Sequence, residues 1–332
     1  AAARERAFGV RAVRGRGLGV VATRTIQVGE LVAAERPLLM VPAGEAWLPQ
    51  VQREYEELPG ALRDVVMQLD GESSGEAESS LRGIVARNRV ARDHGSDEGV
   101  VCVAISRFNH SCDSNCEQSW DDEAEQERVH ASRTIREGEE LTLPYVDLRA
   151  PAAERDRALF GTYGFRCTCP VCTNRDPMAN VSRDRIRTLQ ARLDSVMDDA
   201  YDADEARPGI DMAAELLELY DRAPLGPKSI RADACYAAFV LSLKADDLAG
   251  AKGWVRKAYQ HSLVARGKDH PDTKVLEKLV KDPEDSPFSK KNDPQEAAVN
   301  VYVALGGIVS LGMLFQIFQS LARMQRMADP FA

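Results

Sequence analysis

The stretch "RFNHSCDSNC", Arg107–Cys116, places two asparagines, one histidine and two cysteines within ten residues. Such a set suits a metal site, a nucleophile with its base, or a polar pocket that lies beside a metal. The stretch alone leaves these three readings open, because each of them needs partners from other parts of the chain. Its chemistry therefore depends on what the rest of the sequence supplies.

A second cysteine cluster supplies such partners. The run "CTCPVC" places Cys167, Cys169 and Cys172 in a C-x-C-x-x-C array. Three thiolates at this spacing can wrap one zinc ion, and tetrahedral zinc takes a fourth Cys or His ligand. The pattern predicts a zinc site rather than three solvated thiols on a loop, since clustered free thiols oxidise readily. The fourth ligand must come from another segment, and the candidates are the histidines together with Cys102, Cys112, Cys116 and Cys235.

The composition favours an intracellular protein that uses thiols and a metal. The chain has 332 residues, a net charge of −9 and seven cysteines. The arginine-rich N-terminus lacks the apolar segment of a secretory signal, and the odd cysteine count argues against a disulfide framework. No basic stripe stands out, so we expect no direct nucleic-acid partner. The expected location is the cytoplasm, the nucleus or both. The chain begins without methionine, as a fragment of a longer protein does.

The N-terminal part of the chain is predicted to be β structure. The runs "GVVAT" (Gly19–Thr23) and "LVAAE" (Leu31–Glu35) have strand character and are joined through "QVGE", where Gly29 can supply a turn. A similar pattern recurs as "TIQVGEL" at Thr25–Leu31 and "TIREGEEL" at Thr134–Leu141. Two occurrences indicate that one hairpin is used twice, rather than a repeat array.

Helical patterns follow in two blocks. Residues 45–98 have apolar positions at helical spacing, interrupted by a polar Gly/Ser-rich loop, and residues 178–282 repeat that spacing. Residues 283–296 are predicted to be a disordered linker. Residues 297–322 contain no charged side chain and are a candidate membrane anchor, for which a buried or partner-docked helix is the alternative.

Four motifs occur in a fixed order: "GRGLGVVAT" (Gly15–Thr23), "RFNHSC" (Arg107–Cys112), "GEELTLPYVD" (Gly138–Asp147) and "YGFRCTCPVC" (Tyr163–Cys172). In this order they resemble the SET-domain family of protein lysine methyltransferases, and in particular a SMYD-like branch without the MYND zinc finger. The resemblance covers residues 8–173 closely and residues 180–280 loosely.

The resemblance implies a mixed α+β fold. A SET-domain β-fold would occupy residues 1–173, with a helical insertion at about 45–98 and a zinc-binding post-SET segment at about 160–173. An all-helical, TPR-like region would follow at 178–282.

The resemblance also implies roles for single residues. Tyr145 and Tyr163 would be catalytic and line a channel for the substrate lysine. Asn109 and His110 would lie at the adenine and ribose of S-adenosylmethionine, although both could merely cap a turn, and Phe165 could merely pack in the core. The full set implied for S-adenosylmethionine is Gly15, Arg16, Gly17, Asn88, Asn109, His110, Tyr145 and Phe165. The set implied for structural zinc is Cys112, Cys167, Cys169 and Cys172, which leaves Cys102, Cys116 and Cys235 as spare thiols.

The implied function is S-adenosylmethionine-dependent methylation of a lysine on a histone or non-histone protein. One alternative is a catalytically inactive SET domain that acts as an interaction module with a structural zinc site. Another is a zinc-stabilised helical scaffold without a cofactor.

Two features depart from the SMYD pattern. No MYND-type cysteine/histidine cluster lies between residues 40 and 100, and Pro144 directly precedes Tyr145, where we expect it to alter the pairing of the strand edge.

Overall fold

The computed structural model describes residues 7–69, 80–92, 97–174, 176–199, 203–223 and 225–289. It divides into two compact units. The first comprises residues 1–180, 224–227 and 264–267, and the second comprises residues 181–223, 228–263 and 268–332. The strands belong to the first unit, and the described part of the second unit is helical.

The strands of the first unit form three small sheets, with orders β1-β2-β10-β7, β3-β9-β8 and β4-β6-β5. All neighbours are antiparallel except β7 and β10, which run parallel. The strands are β1 Phe8–Val13, β2 Gly17–Ala22, β3 Leu31–Glu35, β4 Leu39–Val41, β5 Val90–Ala91, β6 Gly99–Val101, β7 Asn109–His110, β8 Cys116–Asp121, β9 Gln126–Ala131 and β10 Glu140–Leu143.

The first unit contains helices beside these sheets, and helices form the described part of the second unit. In chain order they are α1 Leu48–Glu57, α2 Gly60–Met67, α3 Leu81–Asn88, α4 Ala152–Tyr163, α5 Pro170–Thr173, α6 Pro177–Asp199, α7 Ala203–Arg222, α8 Ser229–Lys244, α9 Leu248–Ala265 and α10 Pro271–Lys281. Short 3₁₀ helices cover Ile105–Arg107 and Pro283–Asp285.

Alternating apolar side chains bury one face of the first sheet. Val20 and Ala22 of β2, and Leu141 and Leu143 of β10, lie two residues apart on their strands and are at most 2% exposed. Removing a large aliphatic side chain of this kind from water contributes about 1.5–3 kcal/mol. This core fixes the sheet that carries β7, and therefore the opening motif.

The helical insertion has a core of its own. Trp47, Val51 and Ile84 pack with Val41 and Val101, which belong to the sheet formed by β4, β5 and β6. The insertion therefore contains helices α1–α3 and also strand β5.

The predicted hairpin around Gly29 is wrong. Strand β2 pairs with β1 and β10, whereas β3 pairs with β9 in another sheet. The turns themselves form, because Gly29 and Gly138 adopt φ angles of +77° and +82°. Local sequence thus identified the turns, but the partners of the flanking strands come from a distant part of the chain.

The two "TI" segments pair with each other instead. Ile26 and Ile135 form an antiparallel bridge with backbone hydrogen bonds of 2.9 Å in both directions. Each segment thereby links the end of a strand in one sheet to the start of a strand in another. The flanking bonds are reciprocal, from Gly29 N–H to the carbonyl of Ala131 and from Gly138 N–H to the carbonyl of Ala22.

The side chains repeat this local two-fold arrangement. Arg24 pairs with Glu30 in one segment, and Arg133 pairs with Glu139 in the other. Each arginine also donates to the carbonyl of the residue that follows it, at 3.1 Å. The same combination of an arginine–glutamate ion pair and an arginine-to-carbonyl hydrogen bond therefore stabilises both connections between the sheets.

The start of the predicted linker is ordered. Pro283 begins a 3₁₀ helix that Asp282 caps through the N–H of Glu284 at 3.0 Å, and both Pro283 and Ser286 are buried. The candidate anchor at residues 297–322 lies outside the described residues. Within the described residues, no helix combines the length and apolar character needed to cross a bilayer.

The predicted fold class is confirmed. Short strands form the predicted β structure, a mostly helical insertion interrupts it, and a helical region follows. The boundaries of the domains and the TPR-like character of the helical region stay predictions.

Candidate functional site

The segment that leads to Asn109 is held from two sides. The carboxylate of Glu35 accepts the backbone N–H groups of residues 103–105 at 2.7–3.2 Å. Arg107 donates to the carbonyls of residues 68 and 69, each at 2.8 Å. These bonds satisfy backbone groups at a 3₁₀ turn and at a helix end, which have no partner within their own element. The turn therefore delivers β7 in a fixed orientation.

Strand β7 lies parallel to the end of β10, with Asn109 opposite Thr142 and His110 opposite Leu143. Asn115 extends this edge with its side chain, which donates to the backbone of β10 at 2.9 Å and accepts from it at 2.8 Å. Strand β10 ends at Leu143, directly before the proline that cannot donate to a ladder.

The "GRG" turn closes the β1–β2 hairpin beside this edge. Gly15 and Gly17 have φ angles of +72° and +70°, and a Cβ atom at either would meet nothing within 4 Å. The glycines are therefore needed for their backbone conformation, and the space beside them is open. Arg16 reaches across to donate to the carboxylate of Glu140 at 2.8 Å and to the carbonyl of His110. The turn, β7 and β10 meet at this arginine.

Asn109 is oriented by two acceptors. Its amide nitrogen donates to the carbonyl of Leu18 at 3.2 Å and to the carboxylate of Glu140 at 2.8 Å. Gly19 permits this approach, because a Cβ atom there would lie 2.7 Å from the Asn109 nitrogen and 2.9 Å from the Glu140 oxygen. Both bonds use the amide nitrogen, so the amide oxygen is presented for a ligand donor.

The His110 ring contacts both Tyr145 and the cysteine Cys112. Its Nδ1 atom accepts the backbone N–H of Tyr145 at 3.0 Å, so the ring proton lies on Nε2. Nε2 is 3.3 Å from the sulfur of Cys112 and can donate to it. The ring is 2% exposed and lies near the rings of Tyr145 and Phe165, with centroid distances of 5.4 and 6.1 Å. Both ring nitrogens and the carbonyl of His110 already have partners in the protein, so the ring face is the part left for a cofactor.

Three aromatic residues cluster beside His110. The rings of Tyr145 and Tyr163 are 4.8 Å apart between centroids, and those of Tyr163 and Phe165 are 6.2 Å apart. The Tyr145 hydroxyl donates to the carbonyl of Phe108 at 2.5 Å. Burial raises the pKa of both tyrosines, so their hydroxyls stay protonated at neutral pH.

Tyr145 and Tyr163 line a cavity of about 310 Å³. Its other lining side chains are partly apolar and partly polar or charged. They include Leu143, Pro144, Val146, Arg89, Glu98 and Asp147.

The predicted zinc ligands come together. The sulfurs of Cys112, Cys167, Cys169 and Cys172 all lie within 4.8 Å of one another. Zinc–sulfur bonds of 2.3 Å in a tetrahedron put the sulfurs about 3.8 Å apart. Hydrogen bonding from Cys112 is the main cause that lowers the pKa of Cys167 and of Cys169, the latter to about 5. The donor set therefore fits a four-thiolate zinc centre.

The remaining thiols lie outside this group. Cys102, Cys116 and Cys235 are fully buried in apolar surroundings, where burial raises the pKa of each thiol. They are core residues. Sequence alone had left them as candidates for the fourth ligand.

Asn88 does not join the group formed by Arg16, Asn109 and Glu140 through any described bond. Its amide donates to the carbonyl of Ile84 at 2.9 Å, within α3. Three residues of the site were missed by sequence reasoning, namely Gly19, Asn115 and Glu140. All three lie inside or beside the quoted motifs, but only their long-range bonds distinguish them from neighbours of the same type.

The comparisons with known proteins agree with this geometry. Residues 17–146 match the family model described as "SET domain". The chain is 29% identical over 186 residues to histone-lysine N-methyltransferase set5 of Schizosaccharomyces pombe, covering 55% of each protein. It is 37% identical over 78 residues to human histone-lysine N-methyltransferase SMYD3, covering 24% of this chain and 18% of that protein.

Two further similarities concern a plant protein and a solved structure. The chain is 32% identical over 124 residues to histone-lysine N-methyltransferase ATXR4 of Arabidopsis thaliana, covering 37% of this chain and 36% of that protein. A crystal structure of the SET domain of LSMT bound to lysine and AdoHcy is similar over 84% of this chain and 87% of that chain, at 15% identity and a TM-score of 0.32. The chain spans about half the length of set5 and less of the other two relatives. The matched residues 17–146 include Gly17, β7 and Tyr145, so this segment of the chain is similar to SET domains.

Proposed function

We propose that this chain is an S-adenosylmethionine-dependent protein-lysine N-methyltransferase that acts on a histone or non-histone protein. The observation that carries the proposal is the pair of half-buried tyrosines, with ring centroids 4.8 Å apart, that lines the cavity and is linked through His110 to the Arg16–Asn109–Glu140 group. A cofactor pocket and an amine channel have to be neighbours for a methyl group to pass between them.

The residues around Arg16 fit S-adenosylmethionine. The Arg16 guanidinium suits the carboxylate at the methionine end, and the open backbone of Gly15 and Gly17 allows a ligand to approach closely. The Asn109 amide oxygen suits a donor such as the adenine amino group. When bound, the cofactor supplies an electrophilic methyl group on its sulfonium centre.

The cavity lined by the two tyrosines would bind the substrate lysine and favour the neutral form of its amine. The apolar residues of the cavity lining, Leu143, Pro144 and Val146, together with the tyrosine rings, disfavour the charged ammonium form, so they lower the lysine pKa and favour the neutral amine. The Tyr145 hydroxyl donates its hydrogen bond to the carbonyl of Phe108, which leaves its oxygen lone pairs to orient the amine. Because their pKa values are raised, the two tyrosines orient the reacting groups and do not act as general bases.

The zinc centre is structural in this proposal. Four cysteine ligands leave no open position for water, so the metal would hold the segment of Tyr163 and Phe165 against β7. Asn88, Phe165 and His110 keep their predicted place beside the cofactor, with His110 contributing through its ring face. The intracellular location and the membrane segment stay predictions from composition.

The test is incubation of the full chain with isotopically labelled S-adenosylmethionine and a whole-cell protein extract, followed by mass spectrometry. We expect label on lysine residues, and a loss of about 10²-fold or more for Tyr145→Phe, as for other lost transition-state contacts. Circular dichroism checks that the variant is folded.

Calorimetry with S-adenosylmethionine separates the alternatives. Cofactor binding without any labelled lysine would indicate an inactive SET domain that serves as an interaction module. Absence of cofactor binding would indicate a zinc-stabilised scaffold, and either result would overturn the proposal.

A further inference from the structure

Arg155 on α4 is a buried cation, only 1% exposed. Its guanidinium has three described acceptors. They are the carbonyl of Ala150 at 2.5 Å, the sulfur of Cys112 at 3.3 Å and the sulfur of Cys172 at 4.0 Å. In the described part of the chain, no carboxylate pairs with it. A buried guanidinium without an anion costs several kcal/mol, so this environment calls for negative charge on the sulfurs.

Four thiolates around one Zn²⁺ ion provide that charge, because the centre as a whole is dianionic. We propose that Arg155 is a positioning residue of the zinc centre, whose guanidinium donates to the thiolates of Cys112 and Cys172 and offsets their charge. This inference rests on the zinc site of the proposed function. Nothing in the cysteine spacing assigns such a role to an arginine.

The geometry also gives Cys112 two donors. Arg155 Nε and His110 Nε2 each lie 3.3 Å from its sulfur and approach from different elements, α4 and β7. Donors of this kind around a metal ligand fix its orientation, and their loss typically weakens metal binding 10–100-fold. The guanidinium fork can serve two sulfurs and a carbonyl together, which the single ammonium of lysine cannot do in the same geometry.

The experiment measures zinc affinity of the full chain by competition with a chromophoric chelator under reducing conditions. Arg155→Met keeps the length of the side chain and removes its charge, and we expect it to weaken zinc binding 10–100-fold. Arg155→Lys keeps the charge and should give an intermediate loss. Arg157→Met is the matched control, because Arg157 lies on the same helix, is exposed and bonds only the carbonyl of Ala153. It should bind zinc as the unchanged chain does.

Cobalt substitution provides a second, spectroscopic measurement of the metal site. The visible spectrum of Co²⁺ in the Arg155→Lys variant should retain the intense bands of tetrahedral thiolate coordination, because the ligands are unchanged. If Arg155→Met fails to fold, as judged by circular dichroism, Arg155→Lys decides the question.

Two failures can be told apart. If the unchanged chain binds no stoichiometric zinc, the zinc site itself is wrong. If it binds zinc and the folded Arg155 variants match Arg157→Met within twofold, the zinc site stands and the role of Arg155 is overturned.

Discussion

At the scale of single residues, two neighbours on a two-residue strand serve different sites. Asn109 bonds the glycine hairpin and Glu140, whereas His110 bonds Tyr145 and the sulfur of Cys112. Successive side chains of a strand point to opposite faces, so one short strand can contact the proposed cofactor pocket and the candidate zinc centre at once.

Cys112 and Cys116 should respond oppositely to substitution. We expect Cys112→Ser to lower zinc affinity more than about 100-fold, since even the loss of a group that only supports a ligand costs 10–100-fold. Cys116 is fully buried in the core, so Cys116→Ala should keep zinc and lower the free energy of unfolding by about 1 kcal/mol.

Elemental analysis and urea unfolding of both variants provide the test. Loss of zinc from Cys116→Ala, or full retention by Cys112→Ser, would contradict the ligand assignment. A serine at position 116 would be a poorer control than alanine, because it puts a hydroxyl into an apolar core.

Gly19→Ala should damage cofactor binding. The added Cβ atom would lie 2.7 Å from the Asn109 amide and 2.9 Å from Glu140, so the bond between them has to move. We expect at least about a tenfold loss in S-adenosylmethionine affinity by calorimetry, the equivalent of one hydrogen bond of about 1.4 kcal/mol.

Gly161→Ala is the matched control. Gly161 lies in α4, and its Cβ atom would meet nothing within 4 Å, so the change should stabilise the helix by about 0.5–1 kcal/mol. Equal cofactor affinities for the two variants would refute the close approach at Gly19.

At the scale of elements, helix α9 carries a titratable group in an unfavourable setting. Burial is the main cause that lowers the pKa of His261 to about 4, and Arg231 and Lys228 lower it further, whereas Asp221 raises it. The unfolded chain takes up this proton below about pH 6.5, before the folded chain does. His261 therefore costs no stability above pH 6.5, and it destabilises the fold progressively as the pH falls from 6.5 to 4.

His261→Gln removes this titration, so the variant should lose less stability than the unchanged chain between pH 6.5 and 4. Urea unfolding at several pH values provides the measurement. A difference between the two proteins that stays constant across this range would show that His261 does not titrate as described.

The secondary-structure elements also show which features could be predicted from the sequence and which could not. The glycine turns at 29 and 138, the helices of the insertion and the C-x-C-x-x-C cluster were each predicted correctly, because their signals are local. The pairing of Ile26 with Ile135 was missed, because strand partners are chosen by tertiary packing rather than by the residues next to a turn. The 3₁₀ helix at Pro283 was missed because a polar, proline-rich composition also suits a disordered segment.

At the scale of the whole molecule, metal binding should stabilise the first unit. Zinc at 1,000 times its dissociation constant contributes about 4 kcal/mol, which raises the melting temperature of a unit of this size by about 10 °C. Addition of a strong chelator to the reduced protein should therefore lower a melting transition by about that amount in differential scanning fluorimetry.

Cys169→Ser serves as the control, because a chain that has already lost the metal should not respond to the chelator. An identical chelator shift in Cys169→Ser and the unchanged chain would show that the effect does not come from this centre.

The family resemblance predicted most of the candidate site, since it marks residues that lie in quoted motifs. It could not identify Glu140 or Arg155, which are single charged residues among 52 acidic and 43 basic ones. Their importance comes from burial and from partners that lie far away in the chain, and neither property is visible in a motif.

The parallel pairing of β7 with β10 has a kinetic consequence. The β8–β9 hairpin separates Asn109 from its partner Thr142 in the chain, and Arg16 reaches His110 and Glu140 across 94 and 124 residues. Contacts of such high sequence separation carry a large loop-closure cost and slow the folding of a chain. On refolding, ligand binding should therefore recover later than helical circular dichroism, because the pocket is assembled from the contacts that close last.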